Sequence, residues 1–312
     1  MTYTTTLLLK NQQKFPHGMG LILSLLILGI TGNWQPAQAK ISEPVQPVSA
    51  AVKDAPTSLR QLLRQSRTAN SLAQRTPKEV VIPSNGGGAT ELKNLLTQMD
   101  SAASLGNLKG VMQFYSPNFT SGDGLNFQSL EKSLIALWKR YPKLRYNTQL
   151  QSWKAEGNVI VAETVTNITG LPSAQSDNLA LNATIKSRQR IQGGKIVYQE
   201  ILSERSLITS GNKPPQIDIN LPQQVKVGQQ YNFDAILQEP LGDDFLLGTA
   251  IEEPVQVNKY LNPTSVDLEL LTSGGLFKVG RAPSTPGSHW VSAVILRGGG
   301  MTMVTQRMQV VR

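Results

Sequence analysis

Four long runs of alternating apolar residues constrain this chain more than any other feature: Leu144 to Lys154, Asn158 to Ile168, Leu179 to Ile191 and Ile196 to Ile208. Their period of two and their Val, Ile and Thr content predict β-strands. Glu156-Gly157 turns the first pair, and Gly193-Gly194 joins the second. A Gly-Gly pair readily takes the positive φ angles of a two-residue hairpin loop. Folded at those glycines, the second hairpin places Ile185, Ser187, Gln189 and Ile191 on one face with Ile196, Tyr198, Glu200, Leu202 and Glu204. In the first hairpin the matching face is Tyr146, Thr148, Leu150, Val159, Val161, Glu163 and Val165. Both faces are mostly apolar, yet Glu163, Glu200 and Glu204 stand on them.

Helical patterns precede the strands and provide the cover. Thr90 can cap a helix carrying Leu92, Leu95, Leu96 and Met99 at helical spacing, and Gly106-Asn107 breaks it. A short helix from Leu108 to Tyr115 ends before SPNF. A third, from Phe127 to Tyr141, aligns Phe127, Leu130, Leu134, Leu137, Trp138 and Tyr141, and Pro142 stops it. Helices segregated on one side of an antiparallel sheet make an α+β layer. A bent sheet closed by three helices leaves a cone with a mouth. Tyr115, Trp138, Tyr146, Glu163, Gln189, Tyr198, Glu200 and Glu204 are the expected lining. On the outer face the pattern places Lys186, Arg188, Arg190 and Arg205, with Trp153, Ile160, Ala162 and Ile168 outward on the neighbouring hairpin. An outward Trp with apolar neighbours predicts a covering partner, either a second copy or the following domain.

The segment LLTQMDSAASLGNLKGVMQFYSPNF carries a resemblance. A helix, a Gly-Asn break, a helix ending in F-Y-S-P-x-F and then hairpins are similar to the nuclear-transport-factor-2-like cone, shared with ketosteroid isomerases and polyketide cyclases. The resemblance covers residues 89–210. It implies a cavity in the cone and a sheet face used for dimer contacts. In ketosteroid isomerases of this fold a carboxylate moves the proton, while a Tyr and a protonated Asp hold the oxyanion. This chain departs from that pattern. Its first helix has no tyrosine, and His289, the one histidine beyond the leader, lies in the other domain.

Pro214-Pro215 marks a boundary. Short alternating strands follow: Ile217 to Leu221, Val225 to Val227, Tyr231 to Leu237, Val266 to Leu271 and Leu276 to Val279. A hairpin around Gly298 to Gly300 closes the chain. This spacing predicts an all-β sandwich over 214–312. The opening P-Q-x-V-x-V-G-Q-x-Y-x-F resembles bacterial immunoglobulin-like modules. Glu239, Asp243, Asp244, Glu252 and Glu253 gather in one loop, but they lack the spacing of a calcium loop, so no metal is expected and the acids read as a solvated turn.

The N-terminus predicts an address. Lys10 and Lys14 precede the apolar run GLILSLLILGI, too short for a spanning helix. Ala37 and Ala39 then make a small-x-small site. Residues 1–39 therefore read as a signal peptide cut after Ala39, and the chain as exported to the periplasm or an equivalent extracytoplasmic compartment. Residues 40–88, rich in Pro, Ser, Gln, Ala and Thr and ending in PSNGGG, read as a disordered linker with a hinge. The low charged content of the chain, 16%, agrees with an unfolded portion. Losing the two leader lysines takes the net charge from +9 to about +7, and the linker alone holds seven Lys/Arg against three Asp/Glu. The basicity thus belongs to a tether, which could meet an envelope protein or an anionic membrane surface, with SLRQLLRQSR as its one amphipathic island. It is not a basic groove, and nucleic acid is not an expected partner. With no cysteine, disulfides and thiolate metal sites are excluded.

No phosphate loop, nucleophile elbow, zinc pair or dinucleotide fingerprint occurs, so no cofactor is expected. Three functions remain open, the last of them a purely structural scaffold. The first is a non-enzymatic binding or adaptor protein, using the cone for a small hydrophobic ligand and the sandwich for a partner, with dimer contacts on the sheet face near Trp153, Arg188 and Arg190. The second is an isomerase, cyclase or hydrolase in which Glu163, Glu200 or Glu204, its pKa raised by an apolar pocket, is the general base.

Overall fold

The computed structural model describes residues 86–312 apart from 177, 243 and 262–265. The expected leader, nearly all of the basic linker and Asp243 lie outside the described residues.

Helix α1 (Gly86–Ser104) begins earlier than the sequence predicts, so the expected hinge glycines form its first turn rather than a flexible joint. Tertiary packing outweighs their low helix propensity here. Gly88 lies against the Trp153 indole so closely that an added Cβ would stand 3.0 Å from the ring. Helix α2 (Leu108–Met112) starts at Asn107, whose side chain accepts from the Gly110 N–H. Strand β1 (Tyr115–Ser121) was not expected, since Pro117 removes a ladder donor. The strand tolerates it by pairing irregularly, with a register break between Tyr115 and Thr120. Helix α3 (Phe127–Arg140) opens with a reciprocal capping box between Asn126 and Ser129 and buries Leu130, Leu134 and Leu137.

The two predicted hairpins are present: β2 (Leu144–Glu156) with β3 (Val159–Gly170), and β4 (Ala180–Gln192) with β5 (Lys195–Gly211). Gly193 and Gly194 take φ of 56° and 71° between paired Gln192 and Lys195, a type I′ loop. Helices α1, α2 and α3 cover one face. Leu92 and Leu96 of α1 and Leu130 and Leu134 of α3 share a core with Ala162, Ile191 and Ile196.

The remaining chain forms β6 (Ile217–Asn220), β7 (Gln224–Lys226), β8 (Gln230–Leu237), β9 (Leu247–Pro254), helix α4 (Val257–Leu261), β10 (Glu269–Leu270), β11 (Gly275–Arg281), β12 (Gly287–Arg297) and β13 (Gly300–Val311). The acid-rich segment read as a solvated turn contains strand β9, whose Glu253 is buried. Pairing with β12 recruits it. A three-stranded sheet, β11-β8-β6, packs Tyr231, Phe233 and Ala235 against Val291, Ala293 and Ile295 of β12.

The junction at residues 211–214 does not interrupt the main sheet. Its order is β10-β9-β12-β13-β5-β4-β3-β2. The cause is the length of β5, 17 residues. Its first half pairs with β1 in parallel, through Ile196 to Gln199. Its second half, Arg205 to Gly211, pairs with β13 antiparallel. The cores mix accordingly. Tyr260 and Trp290 complete the cluster under α1, while Val294, Met301 and Met303 join the cluster of Leu181 and Ile208.

Candidate ligand cavity

A cavity of about 90 Å³ lies between the helices and the inner face of β2–β5. That is well under the roughly 300 Å³ at which drug-sized ligand pockets begin. Its apolar wall includes Met99, Val111, Phe119, Leu134, Ile168 and Ile185. Its polar groups are Asp100, Ser121, Asp123, Thr148, Thr166, Gln189 and Gln199, with the tyrosines Tyr115, Tyr146 and Tyr260.

Of the residues expected in the cone, Tyr115, Tyr146 and Gln189 line the cavity. Trp138 stands behind it and donates its Nε1–H to the Tyr146 hydroxyl at 3.0 Å. Glu163, Tyr198, Glu200 and Glu204 do not line it. β-bulges explain the first three, while Glu204 stays on the inner face. In the first hairpin the register shifts between Leu150 and Ser152, so Tyr146, Thr148 and Leu150 oppose Ile168, Thr166 and Thr164 rather than odd-numbered partners. The whole of β3 is thereby inverted. Ala162, Thr164, Thr166 and Ile168 face the helices, and Val161, Glu163 and Val165 face outward. Trp153, opposite Ala162, turns inward beneath α1 and is not part of an outer face.

The second hairpin shifts twice. A bulge at Val197 places Glu200 opposite Arg188 on the outer surface, and one at Leu202 returns Glu204, opposite Ile185, to the inner face. Arg188 holds Glu163 at 2.8 Å and Glu200 at 3.2 Å, and Lys186 adds to Glu163 at 3.3 Å. Hydrogen bonding from Arg188 leads the effects that hold the Glu163 carboxyl below its usual pKa, the reverse of what a general base near neutrality needs. Arg190 pairs with Glu156 at 3.2 Å on the same outer face.

Glu204 is buried behind the cavity in a network that sequence reasoning missed. Its Oε2 accepts from Arg307 and from Trp290 Nε1–H at 3.2 Å, while Oε1 has no hydrogen-bond partner among the described residues. Arg307 also donates two bonds of 2.9 Å to Asp123, which accepts a third, of 2.5 Å, from Tyr260. Tyr260 meets Trp290 edge-on at 5.1 Å, and the Arg307 guanidinium lies 5.9 Å from the Trp290 ring centroid. Burial pushes the Glu204 carboxyl up to about 7, against the pull of Arg307 and Trp290. Burial alone would lower Arg307, but Glu204 and Asp123 outweigh it and hold the guanidinium charged. Arg307 and Tyr260 follow Asp123 by 184 and 137 residues, so no local pattern joins them.

Asp100, on α1, accepts from the Thr148 N–H at 2.5 Å and the Thr148 hydroxyl at 2.6 Å. The Thr166 hydroxyl lies 3.0 Å from that of Thr148 and completes a chain of donors. Burial raises the Asp100 pKa, with both Thr148 bonds opposing it. Burial also pushes the Tyr115 hydroxyl up to about 12 and raises Tyr146, so both stay neutral near pH 7. Gln189, 2% exposed, leaves its Oε1 without a hydrogen-bond partner among the described residues. Among the described residues no cluster of acids or histidines has the make-up of a metal site.

Residues 212–311 match the family described as a domain of unknown function, DUF8623. A search among curated proteins returns no match. Among solved structures the chain is distantly similar to Bd1075 of Bdellovibrio bacteriovorus, at 15% identity over 38% of this chain and 42% of that chain, with a TM-score of 0.29. It is also similar to AclR, a putative hydroxylase from Streptomyces galilaeus, at 19% identity over 38% of this chain and 75% of that one, with a TM-score of 0.28. A putative polyketide cyclase from Bacillus cereus matches at 16% identity over 39% of this chain and 78% of its own, with a TM-score of 0.30. The first of these likenesses spans less than half of its counterpart.

Proposed function

We propose that this is an exported, non-enzymatic binding protein. In this reading a cone of the nuclear-transport-factor-2-like kind holds a compact ligand, and an immunoglobulin-like sandwich presents the molecule to an envelope partner. One observation carries the ligand half: Gln189, 2% exposed, belongs to the wall of a mostly apolar cavity, and its buried Oε1 has no hydrogen-bond partner among the described residues. Buried polar atoms are nearly always satisfied, and leaving one bare costs about 1–3 kcal/mol, which a ligand donor would recover.

Binding is favoured over turnover by the positions of the three glutamates. Glu163 and Glu200 are paired with Arg188 on the outer face, and Glu204 is bonded to Arg307 and Trp290 behind the cavity. A catalytic reading would have to rest on Asp100, which two donors from Thr148 already hold in place.

Native mass spectrometry of the protein purified from its own source tests the proposal. A small-molecule adduct is expected, and Ala103→Leu, which fills the cavity from α1, should remove it. An adduct that survives Ala103→Leu would place the ligand elsewhere and overturn the assignment to the cone.

A further inference from the structure

We propose that the cavity selects a compact primary ammonium ion, a small aliphatic amine in its protonated form. This rests on the reading of the cone as a ligand site and adds the ligand's chemical class.

The lining contains no lysine, arginine or histidine, but it contains Asp100 and Asp123. Charge balance around it is incomplete. Arg307 answers Asp123, so among the lining acids the imbalance lies at Asp100. Among the described residues Asp100 has only the neutral Thr148 donors. A partly desolvated carboxylate without a counter-ion is a standing cost, and a bound cation offsets it.

The second, independent observation is Gln189. Its bare Oε1 calls for a donor, which a quaternary ammonium or a hydrocarbon does not offer and a primary ammonium does. Aromatic faces add to the match, because Tyr115, Phe119, Tyr146 and Tyr260 contribute to the wall and cations are attracted to such rings. Tyr115 and Phe119 already stand edge-on at 4.9 Å. The volume, about 90 Å³, is far below that of drug-sized pockets, which limits the ligand to a compact one.

Three probes of one shape separate the possibilities in calorimetric titrations of the full chain at pH 7: isobutylammonium, isobutanol and isobutyrate. Isobutylammonium is expected to bind about tenfold more tightly than isobutanol, the difference between a charge-assisted and a neutral hydrogen bond. Isobutyrate should bind weakest. Asp100→Asn should erase the preference for the ammonium while leaving isobutanol binding in place, and Gln189→Leu should weaken both. The comparison of probes on the unaltered protein needs no variant to fold. Equal binding of isobutanol, or tighter binding of isobutyrate, would overturn the cation assignment while leaving the cavity reading standing. A preference that persists in Asp100→Asn would also overturn it. Failure of all three probes, together with an adduct-free native spectrum, would overturn both readings.

Discussion

Arg307, near the end of β13, grips Asp123, in the turn after β1, through two hydrogen bonds of 2.9 Å across 184 residues of sequence. The pair ties the last strand of the chain to the first strand of the α+β part, and both groups are nearly buried, at 1% and 9% side-chain exposure. Removing the guanidinium would leave Asp123 and Glu204 as neighbouring buried carboxylates. Arg307→Met should therefore destabilise the protein by about 3–5 kcal/mol in urea unfolding, the usual result of breaking a buried pair from one side. Adding Asp123→Asn to Arg307→Met should recover part of that loss. A loss under ~1 kcal/mol for the single variant would show that the network carries little of the junction.

Glu204 gives the junction a pH dependence whose sign is the reverse of an ordinary ion-paired acid. Its carboxyl is pushed up to about 7 from 4.5, mainly by burial. The folded state then keeps a proton that the unfolded chain releases between those values. The stability from Glu204 is complete below its unfolded pKa and is lost as pH rises through about 7. Glu204→Gln keeps an acceptor for Trp290 and Arg307 and removes the titration. Its melting temperature should fall less between pH 5 and pH 8 than that of the unaltered protein. Asp100, also raised by burial, contributes a slope of the same sign, so the variant flattens the profile without abolishing it. Identical profiles would show that Glu204 does not titrate in this window.

The contact between β5 and β13 depends on two glycines meeting face to face. Gly211 pairs with Gly300 and takes φ of +91°, a left-handed conformation that favours glycine. A Cβ on Gly211 would stand 2.5 Å from the Gly299 carbonyl oxygen, and one on Gly300 would stand 2.2 Å from that of Ser210. Gly211→Ala should therefore cost about 1–3 kcal/mol through backbone strain and that clash. Gly157→Ala is the control, since its φ is also positive, at +63°, but a Cβ there meets nothing within 4 Å. Equal losses at the two positions would mean that dihedral strain alone, and not the β5–β13 approach, sets the cost.

What the sequence made legible was the periodic part of the fold. The four long strands, the Gly193-Gly194 loop and α3 with its Pro142 stop all follow from local spacing. Tyr115, Tyr146 and Gln189 were legible as lining for the same reason. Glu163 and Glu200 were misplaced because a bulge adds one residue to a strand and exchanges its two faces, and nothing in the composition around Gln151 or Val197 announces that extra residue. Glu204 keeps its expected face because a second bulge at Leu202 cancels the first. Asp100 was hidden as a polar position on an amphipathic helix. Asp123, Tyr260 and Arg307 come together only through the long β5, which pairs with β1 and β13 along one edge.

The outer-face acids offer the sharpest separation between an acid that looks catalytic in the sequence and one that reaches the cavity. Glu200 is 45% exposed and opposes Arg188 at 3.2 Å, on the far side of β5 from the inner face. An exposed pair of this kind contributes little, about 0–1 kcal/mol, because water screens it and two long side chains must be held still. Glu200→Gln should thus leave the melting temperature within a few degrees of the starting value, and it should leave the affinity for any cavity ligand unchanged. Asp100→Asn, in the cavity wall itself, should weaken binding of the ammonium probe. The two substitutions remove the same chemical group, so contrasting effects in parallel titrations would trace the difference to the bulge at Val197. A tenfold loss of ligand affinity in Glu200→Gln would mean that β4 and β5 pair without that bulge in solution, and would bring Glu200 back to the inner face.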